Sequence, residues 1–265
     1  MIAPKIAAGF PRRIVCLTEE TTETLYLLGE EARIAGISGF TTRPPQARRD
    51  KPKVSAFTSA KFDKILALHP DLVIGFSDLQ SEIARELIHR GCNVIVFNQR
   101  SVEEILDTIL TVARIVGAEA RGLALVAGLR AGLDTIRAAA ARFPRRPRVF
   151  FEEWHDPLIS GIRWVDELLE IAGGQTLFPE LRSCPDAKSR ILDPRAVLER
   201  HPEVVIASWC GRKVNPETIR ARAGWQNIRH VYEVKSTYIL QPGPAALTDG
   251  VRQLHAILQT VVEQS

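Results

Sequence analysis

The sequence predicts an α/β protein of two Rossmann-like lobes with parallel sheets, joined by one long backbone helix, with a cleft between the lobes. Three observations lead there. Short apolar runs alternate with helical patterns of roughly 10–15 residues, as in parallel strands joined by crossover helices. A helix, a His-Pro break and an apolar strand are written twice, as KILALHPDLVIGF from Lys64 and AVLERHPEVVIASW from Ala196, about half a chain apart. Between the copies stands one unbroken helical pattern, AEARGLALVAGLRAGLDTIRAAAARF.

In the first half, RIVCL reads as a strand. TEETTETLYLLG follows as a helix, with acids in its first turn that suit the helix dipole and Gly29 to accept a left-handed close. ARIAGISGF is a strand, and KPKVSAFTS carries the chain into the helix SAKFDKILALHP, which Pro70 stops. DLVIGF is apolar on both faces, as in a covered parallel sheet. SEIARELIHRG is a helix with Ile83 and Leu87 one turn apart, and NVIVF is a strand. SVEE at Ser101–Glu104 is a capping box that opens a helix ending at Gly117.

The linking helix spans Ala118–Phe143. Leu123, Val126, Leu133 and Ile136 share one face, and Pro144 ends it. At about 25 residues it is roughly 38 Å long, more than a crossover needs. It therefore reads as a strut, dividing the chain into an N-terminal α/β lobe (1–117), the linking helix (118–143) and a C-terminal α/β lobe (144–265). The second half repeats the plan. RVFF is a strand and RWVDELLEIAGG a helix. DPRAVLERHP is a helix capped by Asp193 with Pro194 at its first position, and EVVIASW is a strand. NPETIRARAGW opens with the same cap-plus-proline device, TYIL is a strand, and LTDGVRQLHAILQTVV is the last helix. His69 and His201 read as helix-end residues near the negative end of the dipole.

Composition bounds the function. The 265 residues are 45% hydrophobic and 25% charged, enough for two buried cores. Net charge is +4, from 35 Lys and Arg against 31 Asp and Glu. That weak, dispersed charge argues against nucleic acid as a partner. The basic clusters at Arg12–Arg13, Arg48–Lys51 and Arg142–Arg148 read as solvated loops and linkers. Of the four cysteines, Cys16 and Cys92 read as small core residues, while pairing of Cys184 with Cys210 stays open. No apolar stretch reaches the ~18 residues of a membrane span. MIAPKIAAGFPRR lacks the roughly 7–15-residue apolar core of a secretory signal. The reading is a cytoplasmic protein, or one whose signal was removed and a Met added.

Open α/β sheets bind ligands outside the carboxyl ends of their strands, so the cleft is expected to be a ligand cleft. Thr18, Glu19 and Glu20 follow the first strand. Phe40, Phe57, Phe76 and Phe97 stand at later strand ends of the first half. In the second half Glu152, Glu153, Trp154, His155 and Asp156 follow RVFF, Trp209 and Cys210 follow VVIAS, and Gln241 follows TYIL. Aromatics at such mouths suit a large, flat, partly apolar ligand. The alternative is that Phe40, Phe57 and Phe76 cap the core of their own lobe. EEWHDP could ligate a metal, or His155 could take one held by a cofactor; it could equally serve hydrogen bonding and packing. Strand alternation keeps Glu152 and Glu153 from both facing the cleft. A Cys210–His155 nucleophile–base pair is a third reading. No phosphate loop, dinucleotide fingerprint, nucleophile elbow or zincin motif occurs, which argues against a nucleotide-dependent enzyme.

RRIVCLTEETTETLYLLGEEARIAGIS, then RPPQA, then KPKVSAFTSAKFDKILALHPDLVIGF, resembles the N-terminal lobe of the cobalamin-binding proteins of ABC importers. More widely it resembles the helical-backbone receptors for iron–siderophores, heme and cobalamin. The similarity runs from Arg13 to about Val262. EEWHDPLISGIRWVDELLEIAGG and ILQPGPAALTDG are similar to the cobalamin-binding subgroup. The resemblance implies a periplasmic monomer that holds cobalamin as ligand between two lobes, with little hinge motion, no catalysis and no catalytic cofactor, and delivers it to an ABC permease. Together with the strand-end positions, it gives an expected ligand-binding set of Glu19, Glu20, Phe40, Phe57, Phe76, Trp154, His155, Trp209 and Gln241. It places permease docking at Asp63. At the matching second-lobe position Arg195 stands where the family has an acid, with Asp193 and Glu199 nearby. The alternatives are an iron–siderophore or heme binder, or a cytosolic corrinoid carrier or enzyme on the same scaffold.

Overall fold

The computed structural model describes residues 9–264. Residues 1–8, part of the stretch without a leader-type apolar core, lie outside the described residues. The chain divides into two compact units. The first runs to Gln99 and resumes over Glu103–Gly128; the second takes Arg100–Val102 and the chain from Leu129.

The first unit alternates strictly: β1 (Ile14–Cys16), α1 (Glu19–Leu27), β2 (Ile34–Ser38), α2 (Pro45–Asp50), β3 (Lys53–Ser55), α3 (Phe62–Leu66), β4 (Leu72–Phe76), α4 (Ser81–His89), β5 (Val94–Phe97) and α5 (Val102–Ile115). Its sheet has the order β3-β2-β1-β4-β5, parallel throughout. Alternation along β1 feeds two cores. Ile14 and Cys16 pack with Leu25, Leu28 and Val112. Val15 and Leu17 pack with Ile65, Ile83 and Leu87. The helices α1 and α5 close on Gly29 (φ 67°) and Gly117 (φ 71°), left-handed positions that glycine takes without a Cβ clash.

The long helix α6 (Glu119–Ala140) is continuous over 22 residues, about 33 Å, and carries the chain from the first unit into the second. Beyond it come β6 (Arg148–His155), β7 (Leu158–Ser160), α7 (Arg163–Ile171), β8 (Gln175–Thr176), α8 (Pro194–Glu199), β9 (Val204–Ala207), α9 (Pro216–Arg220), β10 (His230–Glu233) and α10 (Ser236–Ile239). A π turn at Ala246–Gly250 runs into α11 (Val251–Glu263). In this sheet β6 pairs in parallel with β9 and β8, and β9 with β10, while β7 returns antiparallel along β6. Phe150, Val205 and Val231 bury against Val197, Ile219 and Trp225.

Several expectations are corrected. The strand written RVFF continues through Glu152, Glu153, Trp154 and His155, because Leu158–Ser160 folds back to pair with it. TYIL is helical: Tyr238 N donates to Lys235 O and Leu240 N to Ser236 O. Its β-branched and aromatic content favours a strand only where a neighbouring ladder exists. The ladder beside β9 is taken by His230–Glu233, which the sequence reading passed over. Cys184 carries a free thiol, so the Cys184–Cys210 bridge is not formed. The basic clusters are largely exposed, as expected, and several of their arginines also reach backbone carbonyls. Arg146 donates to Glu170 O and Gly174 O, and Arg48 to Gly39 O.

The repeated His-Pro element is a repeated backbone device. His69 (φ 46°) and His201 (φ 50°) are both left-handed, each turning the chain out of a short helix toward a strand. Arg13 Nε donates to Leu68 O at 2.7 Å, and Arg148 Nε donates to His201 O at 2.8 Å. Asp71 accepts from the backbone N–H of Arg13 at 3.0 Å, and Glu203 from that of Arg148 at 3.0 Å. Each central strand is thus latched at its amino end to the turn that feeds its neighbour. Among the described residues no helix is long and apolar enough to cross a membrane.

A left-handed non-glycine residue costs roughly 1–2 kcal/mol, part of which glycine gives back through its freer unfolded chain. His69→Gly and His201→Gly should each therefore raise stability by about 0.5 kcal/mol in urea unfolding. A loss of stability in both would show that the imidazoles, not the turns, hold these positions.

Candidate functional site

Because every strand of the first sheet runs the same way, the carboxyl ends line up along one edge. Past β1 lies Thr18 and then α1, in which Glu19–Leu25 are all buried. Thr24 Oγ1 donates to Glu20 O at 2.7 Å, and Thr21 and Thr22 donate to Thr18 O at 3.3 and 3.4 Å. Thr18 Oγ1 donates to Glu20 Oε1, whereas Glu20 Oε2 has no hydrogen-bond partner among the described residues. Glu23 pairs with Arg43 at 2.8 Å.

The helix dipole favours ionised acids here, but burial outweighs it. Glu20 is 3% exposed. Burial pushes its carboxyl up to about 7, against the opposing Thr18 hydroxyl and its own backbone N–H. Glu19 is pushed up to about 8, first by burial and then by the charge of Glu20.

The other strand ends supply rings. Phe40 is 48% exposed, Phe57 is half-buried and Phe76 is 7% exposed. Phe57 and Phe76 meet with ring centroids 6.5 Å apart. Gln80 bridges their loops: its Oε1 accepts from Phe76 N at 3.0 Å, and its Nε2 donates to Phe57 O at 2.9 Å. Ser77, next to Phe76, holds φ 73° and ψ 151°, close to a region that belongs almost to glycine alone. Its N–H donates to Phe97 O at 2.7 Å, which fixes the turn. The Thr41 hydroxyl, past β2, is buried without a partner.

In the second unit, β6 and the end of β9 gather a tryptophan–histidine group. The His155 ring lies 4.5 Å from that of Trp209 and 5.0 Å from that of Trp154. His155 Nε2 is 3.3 Å from Arg212 Nη1, while its Nδ1 is buried without a partner. Glu152, fully buried, accepts from Trp209 Nε1 at 3.1 Å and from both terminal nitrogens of Arg222 at 2.5 and 2.9 Å. Glu153 sits at a bulge in the β6–β7 pairing and binds Arg190 at 2.7 and 3.1 Å. Arginines therefore take both carboxylates, and no group of three or more potential metal ligands occurs among the described residues. Within EEWHDP the two carboxylates thus serve hydrogen bonding and packing.

Gln241 does not end a strand; it lies one short helix beyond β10. A concavity of about 520 Å³ opens nearby in the chain, lined by Lys235, Tyr238, Asp249 and Arg252 among others. Asp63 stands in the first turn of α3 with its side chain 99% exposed, 3.4 Å from Arg90. Arg195 is exposed at the matching place on α8.

Sequence reasoning missed Glu23, Gln80, Arg190, Arg212 and Arg222. No spacing marks them. One argument was available for Arg222: a glutamate at the end of an apolar strand needs a buried partner.

The fold is that of a two-unit α/β binding protein whose strand ends carry the polar and aromatic side chains. A family model described as periplasmic binding protein matches residues 14–238, and the chain belongs to that family. A cobalamin-binding protein of Halobacterium salinarum is 21% identical over 266 residues, covering 95% of this chain and 71% of its own. The periplasmic vitamin B12 binding protein BtuF of Vibrio cholerae superposes with a TM-score of 0.72 at 21% identity, over 95% of this chain and 98% of that one. A periplasmic heme binding protein from Pseudomonas aeruginosa superposes with a TM-score of 0.78 at 20% identity, over 94% and 92% of the two chains. The family named from the sequence is thus the family found.

An acid whose carboxyl is raised in the fold binds more protons folded than unfolded, so its contribution falls as pH climbs from the unfolded value toward the folded one. For Glu19 and Glu20 that window runs from about 4.5 to about 8. Glu20→Gln should raise the melting temperature by a few degrees at pH 8 and by less at pH 5, read by differential scanning calorimetry. An equal shift at both values would mean that Glu20 does not titrate in this window.

Proposed function

We infer that this chain captures a corrinoid, cobalamin, for an ABC-type importer, without catalysing a reaction on it. The observation that carries the reading is the placement of partly exposed rings at the carboxyl ends of strands in each unit: Phe40 and Phe57 past β2 and β3 in the first, Trp154 and His155 as the last residues of β6 in the second. Broad apolar faces of a corrin ring gain most from such side chains. The cobalamin-binding name of a relative aligned over nearly the whole chain supports the same class. Glu19, Glu20, Phe76, Trp209 and Gln241 complete the proposed set, with residues 1–117 and 144–265 as the ligand-holding lobes and 118–143 as the strut. Heme or an iron chelate is the second reading, favoured by the heme-binding fold neighbour. His155 serves here as the spacer between two tryptophans, since its Nε2 already faces Arg212. The family supports a location outside the cytoplasm.

Titrating cyanocobalamin into the protein by calorimetry should give a one-site isotherm. Trp154→Ala should weaken it by about 1–3 kcal/mol, the range expected for losing a stacked ring. A wild-type protein that gives no heat with cyanocobalamin but binds heme would overturn the corrinoid reading.

Docking on the permease is proposed through Asp63. In proteoliposomes holding the cognate permease, Asp63→Arg should cut uptake several-fold at low salt and leave the cyanocobalamin isotherm unchanged. Full uptake would remove Asp63 from that interface. Arg195 implies that the surface meeting the second lobe differs in charge from the one meeting Asp63.

A further inference from the structure

We propose that the buried acidic start of α1 is a charge filter: it admits a ring whose edge carries neutral carboxamides and rejects one whose edge carries carboxylates. The inference rests on the corrinoid reading above and says which feature of the ligand is selected.

Seven consecutive residues of α1, Glu19–Leu25, are buried, and three of them are glutamates. A crossover helix needs only one apolar face, and a buried acid is expensive unless it is paired. Yet among the described residues Glu23 alone of the three is seen with an arginine, Arg43. Glu19 and Glu20 lie at the carboxyl end of β1, the central strand, where ligands of such sheets bind. Glu20 is more than nine-tenths buried and keeps one carboxylate oxygen without a partner. On the loop that brings Arg43 to Glu23, the fully buried Thr41 hydroxyl also has no partner among the described residues. Fold stability gives no account of either open position; a hydrogen-bonding ligand group does.

The sign of the charge narrows the class. Arg48, beyond β2, spends its Nη1 on the carbonyls of Gly39 and Thr41. Where Glu20, and at higher pH Glu19, is ionised, a carboxylate arriving here would meet like charge in a poorly solvated place, where repulsion is strong. A carboxamide brings no charge. Its N–H₂ can donate to a carboxylate oxygen, and its C=O can accept from a hydroxyl. A corrin edge carries acetamides and propionamides; a porphyrin of the heme type carries propionates. The filter therefore favours the first ring over the second through one helix turn.

The test keeps ligand shape constant. Cyanocobalamin is compared with its monocarboxylic acids, in which one peripheral amide has been hydrolysed, by calorimetry at pH 8. Wild type should bind at least one of these acids about tenfold or more weakly than cyanocobalamin, a penalty in the range of buried like-charge contacts. In Glu19→Gln/Glu20→Gln that ratio should fall toward one. The single Glu20→Gln variant, nearly isosteric, should give an intermediate ratio and serves if the double variant folds poorly. Wild type that binds cyanocobalamin and all its acids equally overturns the filter and leaves the corrinoid reading intact. A ratio that survives in both Gln variants overturns it as well. Wild type that binds no cyanocobalamin overturns the reading and the filter together.

Discussion

The common direction of the strands is the constraint on which the rest depends. In the first sheet every ladder is parallel, and in the second the central strand keeps parallel partners on both sides. A parallel ladder forces each connection to return across a face of the sheet, so helices cover the strands and the strands become apolar. It also sends each strand's next residue to the same edge. The residues that follow a strand need not satisfy a ladder or a core, so chemistry can collect there. The latches at Arg13 and Arg148 sit at the opposite, amino end and leave that edge open.

The two units handle buried acid in different ways. In the second, Glu152 and Glu153 are neutralised by Arg222 and Arg190, and the tryptophan–histidine group is built on that frame. Such pairs hold geometry more than they add stability, because desolvation offsets much of the attraction. In the first, Glu19 and Glu20 have no arginine of their own in the contacts described, and burial drives them toward protonation.

Much of the fold was legible because pattern and backbone agree where strands are covered on both faces. DLVIGF and EVVIASW could be little else, and the His-Pro doublet marks a left-handed turn that is built twice. Legibility failed where a tertiary partner decides. TYIL has strand propensity but no ladder beside it, while HVYE has the ladder and a weaker pattern. EEWHD looked like a loop of charged residues until the hairpin return of Leu158–Ser160 made it strand. For the candidate site the strand-end rule points to Phe40, Phe57, Trp154 and Trp209. It could not show that Phe76 and Trp209 would be covered while Phe40 stays open, because coverage depends on residues far away in sequence. The acids of TEETTET looked like dipole partners, and only their burial shows otherwise.

Protonation at the start of α1 also alters the electrical character of the whole molecule. Counting side chains gives +4 at pH 7, with each glutamate taken as fully ionised. With carboxyls raised to about 7 and about 8, the folded chain retains part of that proton load and is more positive than its formula. Unfolding at neutral pH releases those protons, so the heat of denaturation depends on the ionisation enthalpy of the buffer. Electrophoretic mobility should likewise change more steeply between pH 6 and 9 for the native chain than for the denatured one, although the two have the same composition.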